Sequence, residues 1–207
     1  KSSWTPPKDD GEPDVEQEAE PHFLPAFLKP PAPSDEAALE QVGALREEMG
    51  IKVVGEAAGV AAGPLAEFSD LDGVLPAYVV GALKKNGWMK PLPIQAQTLP
   101  FALSGFDCVG IAKTGSGKTL AFILPAIAHI EQRAPERSGA FASPLALILV
   151  PVRELAAQIA EEANKLFWHS KTEAHPDGTG AVCIYGGGMC IRQEQLEELK
   201  KGWCQML

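Results

Sequence analysis

From residue 108 onward the chain alternates between short apolar runs and amphipathic stretches. Residues 108–111 are apolar and lead into a glycine-rich turn, after which the spacing predicts a helix over 118–133. Residues 145–150 are continuously apolar and precede a predicted helix from 153 to about 168. Residues 181–185 are apolar again, followed by glycines and a helix from about 190 to 201; 204–207 read as the start of a fourth strand. Apolar runs of this kind, separated by amphipathic helices, predict parallel strands covered on both faces. The expected fold class is therefore α/β, in the order βαβαβα. Upstream the pattern is helical. Pro76 suits the first turn of a helix ending at Gly87. Pro93 and Pro100 are each expected to open a further short helix. Ala38, Leu39, Val42, Leu45 and Met49 form one apolar stripe, so Ser34 or Asp35 is expected to cap a helix that stops at Gly50. Residues 51–54 read as extended, and 55–63 as a small-residue linker.

Composition changes the picture at the N-terminal end. Residues 1–34 hold eight of the 18 prolines and show no regular apolar spacing, so this tail is expected to be disordered or extended. An apolar island at 23–28 is either a docking segment or a plain apolar spot in a linker. The net charge of −9 is concentrated here, with a balance of −8 in residues 1–50 and −1 in the rest. The near-neutral body leaves an anionic partner such as RNA open. The expected organisation is a tail (1–34), a helix-plus-linker flank (35–65), a short helical region (66–97) and a partial α/β domain (98–207). No apolar run reaches the ~18 residues of a membrane helix, so no membrane is expected. No signal sequence is visible, which weighs little in a chain that opens on Lys1 instead of Met. The four cysteines form no CxxC and have no His pair at metal spacing, which points to free thiols in a reducing compartment.

The strongest chemical signal lies between the first apolar run and its helix. Ala112-Lys113-Thr114-Gly115-Ser116-Gly117-Lys118-Thr119 stands where a phosphate-binding loop must stand, with a strand expected before it and a helix after it. Gly115 and Gly117 let the backbone take positive φ and approach a polyphosphate closely. Successive N–H groups then face phosphate oxygens at the positive end of a helix. Lys118 can reach the β- and γ-phosphates, and Thr119 can place its hydroxyl on Mg²⁺. The common form of this loop begins with Gly, where this chain has Ala112.

With that loop on the page, the chain resembles the DEAD-box RNA helicases of helicase superfamily 2. Residues 112–119 match their phosphate loop throughout. Gly87-Trp88-Met89-Lys90-Pro91-Leu92-Pro93-Ile94-Gln95 resembles their Q motif, with Phe68 where they carry an isolated upstream aromatic. Pro151-Val152-Arg153-Glu154-Leu155-Ala156-Ala157-Gln158 resembles motif Ia, and Gly186-Gly187 their glycine doublet. The flank Ile51-Lys52-Val53-Val54-Gly55 is similar to the segment preceding the core in nuclear members linked to splicing. Two departures stand out. Leu92 and Val152 each replace a threonine, and each loses a hydroxyl worth on the order of 1 kcal/mol as a hydrogen bond. Neither Asp-Glu-Ala-Asp nor Ser-Ala-Thr occurs, and the second RecA-like domain is missing, so the resemblance implies a truncated RecA-like domain.

The resemblance implies an ATP-dependent RNA helicase in the parent protein, with ATP and Mg²⁺ as cofactors and single-stranded or duplex RNA as partner. Lys118 and Thr119 would carry the catalytic contacts to triphosphate and Mg²⁺. Gln95 would read adenine, because a carboxamide offers one donor and one acceptor to N7 and N6–H and disfavours guanine. Phe68 would stack on the base. Pro151, Arg153, Gly186 and Gly187 would meet the RNA backbone. Splicing or other ribonucleoprotein partners on the tail, and a nuclear location, are further expectations. A P-loop ATPase that does not act on RNA, or a non-catalytic nucleotide- or RNA-binding chain, remain as alternatives. The 207 residues alone are expected to be inactive.

Overall fold

The computed structural model describes residues 36–55, 62–133, 144–171, 175, 177–186, 191–200 and 204–207. The tail with its apolar island, the capping residues 34 and 35, most of the 55–63 linker and Gly187 lie outside the described residues.

Six α-helices are described, and most begin where the sequence places them: α1 (Glu36–Glu48), α2 (Ala77–Lys85), α3 (Pro93–Leu103), α4 (Lys118–Arg133), α5 (Arg153–Phe167) and α6 (Ile191–Lys200). A 3₁₀ turn covers Phe68–Leu71. The core forms where α2, α3, α4 and α5 meet. From α4, Leu120, Ile123, Leu124, Ile127 and Ile130 are buried; they recur every three or four residues, so one face of the helix enters the core. They pack with Leu71, Val79, Leu83, Leu99, Leu103 and Leu166. Each fully buried aliphatic side chain contributes about 1.5–3 kcal/mol. By contrast, α6 keeps Gln193, Glu194, Leu196 and Glu197 exposed, as expected of a solvated helix face.

Helix α3 corrects one expectation. Pro100 does not open a second helix but lies inside α3. A proline there cannot donate to the carbonyl four residues back. That carbonyl, on Ala96, accepts instead from the Leu65 amide at 2.9 Å. The linker thus supplies the bond that the proline removes, and the helix continues.

The strands are fewer than expected. β1 (Gly180–Ala181) pairs in parallel with β2 (Cys204–Met206), and Ala146 bridges Met206 in parallel on β2's other side. The Ile148 amide donates to Leu207 O at 2.7 Å, and Leu207 N donates to Ala146 O at 2.9 Å. The parallel arrangement holds for these three segments. Residues 108–111 form no ladder among the described residues. Nor are the runs covered on both faces. Val109 and Ile111 are 92% and 91% exposed, and Leu147 and Leu149 are 64% and 83% exposed. Ala146, Ile148 and Val150 pack on the core. The strand period of two puts alternate residues on opposite faces, and the described helices cover only one of them.

Side chains close what the short sheet leaves open. Residue 181 directs both backbone groups away from β2. Asn164 on α5 takes them both, accepting from Ala181 N at 2.9 Å and donating to Ala181 O at 3.0 Å. Ser170 Oγ does the same for Thr179, accepting from its N–H at 2.8 Å and donating to its carbonyl at 3.1 Å. Buried His175 stands 3.1 Å from Glu131 of α4, which also accepts the Tyr78 hydroxyl from α2.

Candidate functional site

The turn between the 108–111 segment and α4 has the conformation its sequence requires. Gly115 and Gly117 take φ of +77° and +80°, in the left-handed region that favours glycine. Gly115 is open, with nothing within 4 Å of where a Cβ would stand. Gly117 is closed: a Cβ there would meet Gln95 Nε2, and Leu92 Cδ1 at 2.8 Å. Lys118 and Thr119 open α4, so the loop stands at a helix N-terminus. Lys118 Nζ donates to the carbonyls of Ala112 and Lys113, both at 2.7 Å. Ser116 Oγ is buried and finds no hydrogen-bond partner among the described residues.

Those features fit a polyphosphate. A buried hydroxyl without a partner is costly unless a ligand satisfies it. The Lys118 ammonium rests on neutral carbonyls, which phosphate oxygens outcompete as acceptors because they are charged. Thr119 is the second residue of α4, and its hydroxyl is the group that the loop pattern offers to Mg²⁺. Among the described residues, no group of three or more His, Cys, Asp or Glu could hold a metal ion.

Gln95 reaches the loop from α3. Its Nε2 donates to Gly117 O at 2.8 Å and its Oε1 accepts from Leu92 N at 2.8 Å. A carboxamide has two N–H donors and two lone pairs on oxygen. One of each is used within the protein, so one of each remains for a base. Gln95 is 3% exposed, so a base reaches it only if its surroundings open.

Phe68 also lies in the interior. It is 3% exposed and belongs to the core cluster with Leu71, Val79 and Leu83. As at Gln95, a base reaches the ring only if its surroundings open. An apolar ring at the start of a short 3₁₀ turn is drawn inward by the same burial that fixes Leu71.

The structure also explains the two departures at 92 and 152, in a way that motif reading misses. Leu92 is the N-cap of α3 and Val152 the N-cap of α5, and neither makes a side-chain capping bond. A threonine at either position would cap its helix, a bond worth about 0.5–2 kcal/mol. At α3, Gln95 compensates by accepting the Leu92 N–H. The signal was present in the sequence, since both residues immediately precede a predicted helix start.

A second cleft, of about 570 Å³, lies at the C-terminal ends of the strand segments and is lined by Pro151, Arg153 and Gly186 among others. Three of the expected RNA-contacting residues are thus brought to one place, as the carboxyl-end rule for parallel sheets anticipates. Arg153 is exposed and its Nε donates to Glu154 at 2.9 Å. That hydrogen bond holds the Glu154 carboxyl below its usual range. Both groups are well solvated, so the pair is weak and Arg153 can exchange partners.

Cys108, Cys183 and Cys204 are free, and burial pushes each thiol above its ordinary value. No described helix is long and apolar enough to cross a membrane.

Comparison with known proteins agrees with this geometry. A DEAD-box RNA helicase described as putative, HEL64 of Trypanosoma brucei brucei, is 42% identical over 139 residues, covering 67% of this chain and 22% of its own. The crystal structure of the RNA helicase Prp28 from Chaetomium thermophilum, bound to ADP, superposes with a TM-score of 0.62 at 32% identity, covering 80% of this chain and 37% of that one. The yeast DEAD-box splicing factor Prp28 superposes with a TM-score of 0.64 at 27% identity, covering 81% and 36%. The chain spans only 11–26% of the length of curated relatives of this kind. These likenesses support the α/β, RecA-like reading of a domain of which the chain spans a part. Residues 92–207, more than half of the sequence, match the DEAD/DEAH box helicase family, and they include the phosphate loop and the 151–158 segment: the chain belongs to that family.

Proposed function

We propose that the chain is the nucleotide-binding part of an ATP-dependent RNA helicase. In the whole protein, ATP hydrolysis would drive RNA unwinding or ribonucleoprotein remodelling. The observation that carries this reading is the phosphate loop, with its two left-handed glycines, the unpartnered Ser116 hydroxyl and Lys118 at the start of α4. Lys118 exchanges its two carbonyl contacts for phosphate oxygens. Thr119 holds Mg²⁺, which when bound neutralises charge on the phosphates. Gln95 uses its remaining donor and acceptor on adenine. Pro151, Arg153 and Gly186, together with Gly187, meet the RNA backbone, so little sequence preference is expected. An in-line attack of water on the γ-phosphoryl group also needs a positioned water and arginine fingers, supplied by parts of the protein beyond this chain.

Likeness to yeast Prp28 supports a narrower proposal, that the RNA belongs to a splicing ribonucleoprotein in the nucleus. The acidic, proline-rich residues 1–34 are the candidate segment for its protein partners.

The test is ATP hydrolysis by the full-length protein with single-stranded RNA and with single-stranded DNA. The expected result is stimulation by RNA alone, abolished by Lys118→Ala. Equal stimulation by DNA would favour an ATPase that does not act on RNA. Nucleotide binding without any turnover would favour a non-catalytic chain.

A further inference from the structure

Helix α3 is gripped from two sides. On one side Gln95 ties it to Gly117 of the phosphate loop, at 2.8 Å. Two residues later Gln97, 6% exposed, leaves the helix in the opposite direction, because consecutive odd positions lie about 200° apart around a helix. Gln97 Oε1 accepts from Arg46 Nε of α1 at 2.7 Å, and its Nε2 donates to Ala62 O at 3.0 Å. Arg46 Nη2 donates to the same Ala62 carbonyl at 3.1 Å. The guanidinium also lies 5.9 Å from the centre of the Phe101 ring on α3. The bond from Leu65 N to Ala96 O, released by Pro100, fixes the next turn of the linker to the same helix.

These contacts form one connected network. Arg46 joins three pieces of chain, namely α1, the 62–65 linker and α3, using separate nitrogens and its flat face. Only a planar guanidinium with forked donors can make all of these contacts together. Helix α1 has no buried residue of its own. Its link to α3 through Arg46 is polar and directional. An attachment of that kind sets the position and rotation of α3 without adding much to the core.

We propose that Arg46 is a positioning residue for base recognition. It holds α3 at the rotation that keeps Gln95 against Gly117, so that the base reader and the phosphate loop act as one site. The proposal rests on the nucleotide reading above. Arg46 touches no nucleotide. Its effect passes through Gln97 and the α3 backbone to Gln95, and stops short of the Lys118 contacts, which are internal to the loop.

The full-length protein is titrated with ADP and with inorganic tripolyphosphate, for wild type and for Arg46→Ala, Arg46→Lys and Lys118→Ala. Arg46→Ala is expected to weaken ADP about three- to tenfold and to leave tripolyphosphate within about twofold, because the second ligand has no base. Arg46→Lys keeps the charge but loses the fork, so its loss for ADP falls between wild type and alanine. Gln97→Ala added to Arg46→Ala is expected to make ADP binding no weaker, since both residues belong to one network. Equal losses for ADP and tripolyphosphate would show a general structural role and overturn the proposal. So would unchanged ADP binding in a folded Arg46→Ala protein. If Arg46→Ala fails to fold, the same ratio of losses is read from Arg46→Lys. The two readings fail differently. Wild type that binds no ADP refutes the nucleotide site itself and the proposal with it. Wild type that binds, with binding abolished by Lys118→Ala and untouched by either Arg46 variant, refutes the positioning role alone.

Discussion

Gly117→Ala and Gly115→Ala pose the same backbone problem in two different surroundings. Both glycines have left-handed φ, +80° and +77°. An alanine there costs about 1–2 kcal/mol of backbone strain in either place. The surroundings then separate them. At Gly115 a Cβ meets nothing within 4 Å. At Gly117 it meets Gln95 Nε2, and Gln95 Cδ at 3.3 Å, so the carboxamide must move. Moving it breaks the 2.8 Å bond to Gly117 O and leaves buried polar groups without partners. That adds about 1–3 kcal/mol. Gly117→Ala should therefore cost about 2–5 kcal/mol, against about 1–2 kcal/mol for Gly115→Ala. Native-state hydrogen exchange in the full-length protein reads the difference locally, at the amides of α3. With about 1.4 kcal/mol per tenfold, α3 protection should fall roughly fivefold to a hundredfold further in Gly117→Ala than in Gly115→Ala. Equal loss of protection in the two variants would refute the claim that Gln95 packs on the loop.

Three further outcomes are expected. Gln95→Glu keeps the size of the side chain but removes the donor to Gly117 O and to adenine N7, so ATP affinity in the full-length protein should fall about tenfold or more; a wild-type protein that binds ATP and GTP equally well contradicts the adenine-reading role. Arg153→Ala should weaken all single-stranded RNAs alike and reduce the salt slope of binding by about one, in a titration at several salt concentrations; a loss confined to one sequence would mean that Arg153 contacts bases. The 207 residues by themselves should release no measurable phosphate from Mg-ATP, because the sequence holds no Asp-Glu-Ala-Asp to meet Mg²⁺ opposite Thr119 and arginine fingers are worth ~10³–10⁵ in rate. Turnover that Lys118→Ala abolishes would show that account to be mistaken.

The helices were legible because their signals are local. The apolar positions of 118–133 recur at helical spacing, and the glycines at 115 and 117 are the residues a left-handed turn demands. The phosphate loop needs only nearby residues in the right order, so it could be read from the chain itself. The coverage expected of the apolar runs at 108–111 and 145–150 was not legible, for the opposite reason. An apolar run says that a segment can be buried on both faces, whereas coverage depends on what packs there, and Val109 and Leu149 remain exposed. Pro100 looked like a helix start because proline withdraws a donor, a local fact. Only the fold brings the Leu65 amide to the carbonyl that proline leaves free. Phe68 shows the limit most plainly. Spacing and resemblance place an aromatic near a base, but only the fold shows that the ring lies in the core cluster with Leu71, Val79 and Leu83, so that its neighbours govern when a face is open to a base. The same holds for Arg46. In sequence it is one cation near the end of an amphipathic helix, 51 residues from Gln97. Its role is set by long-range geometry, because hydrogen bonds are fixed by direction and distance, and neither is written in sequence order.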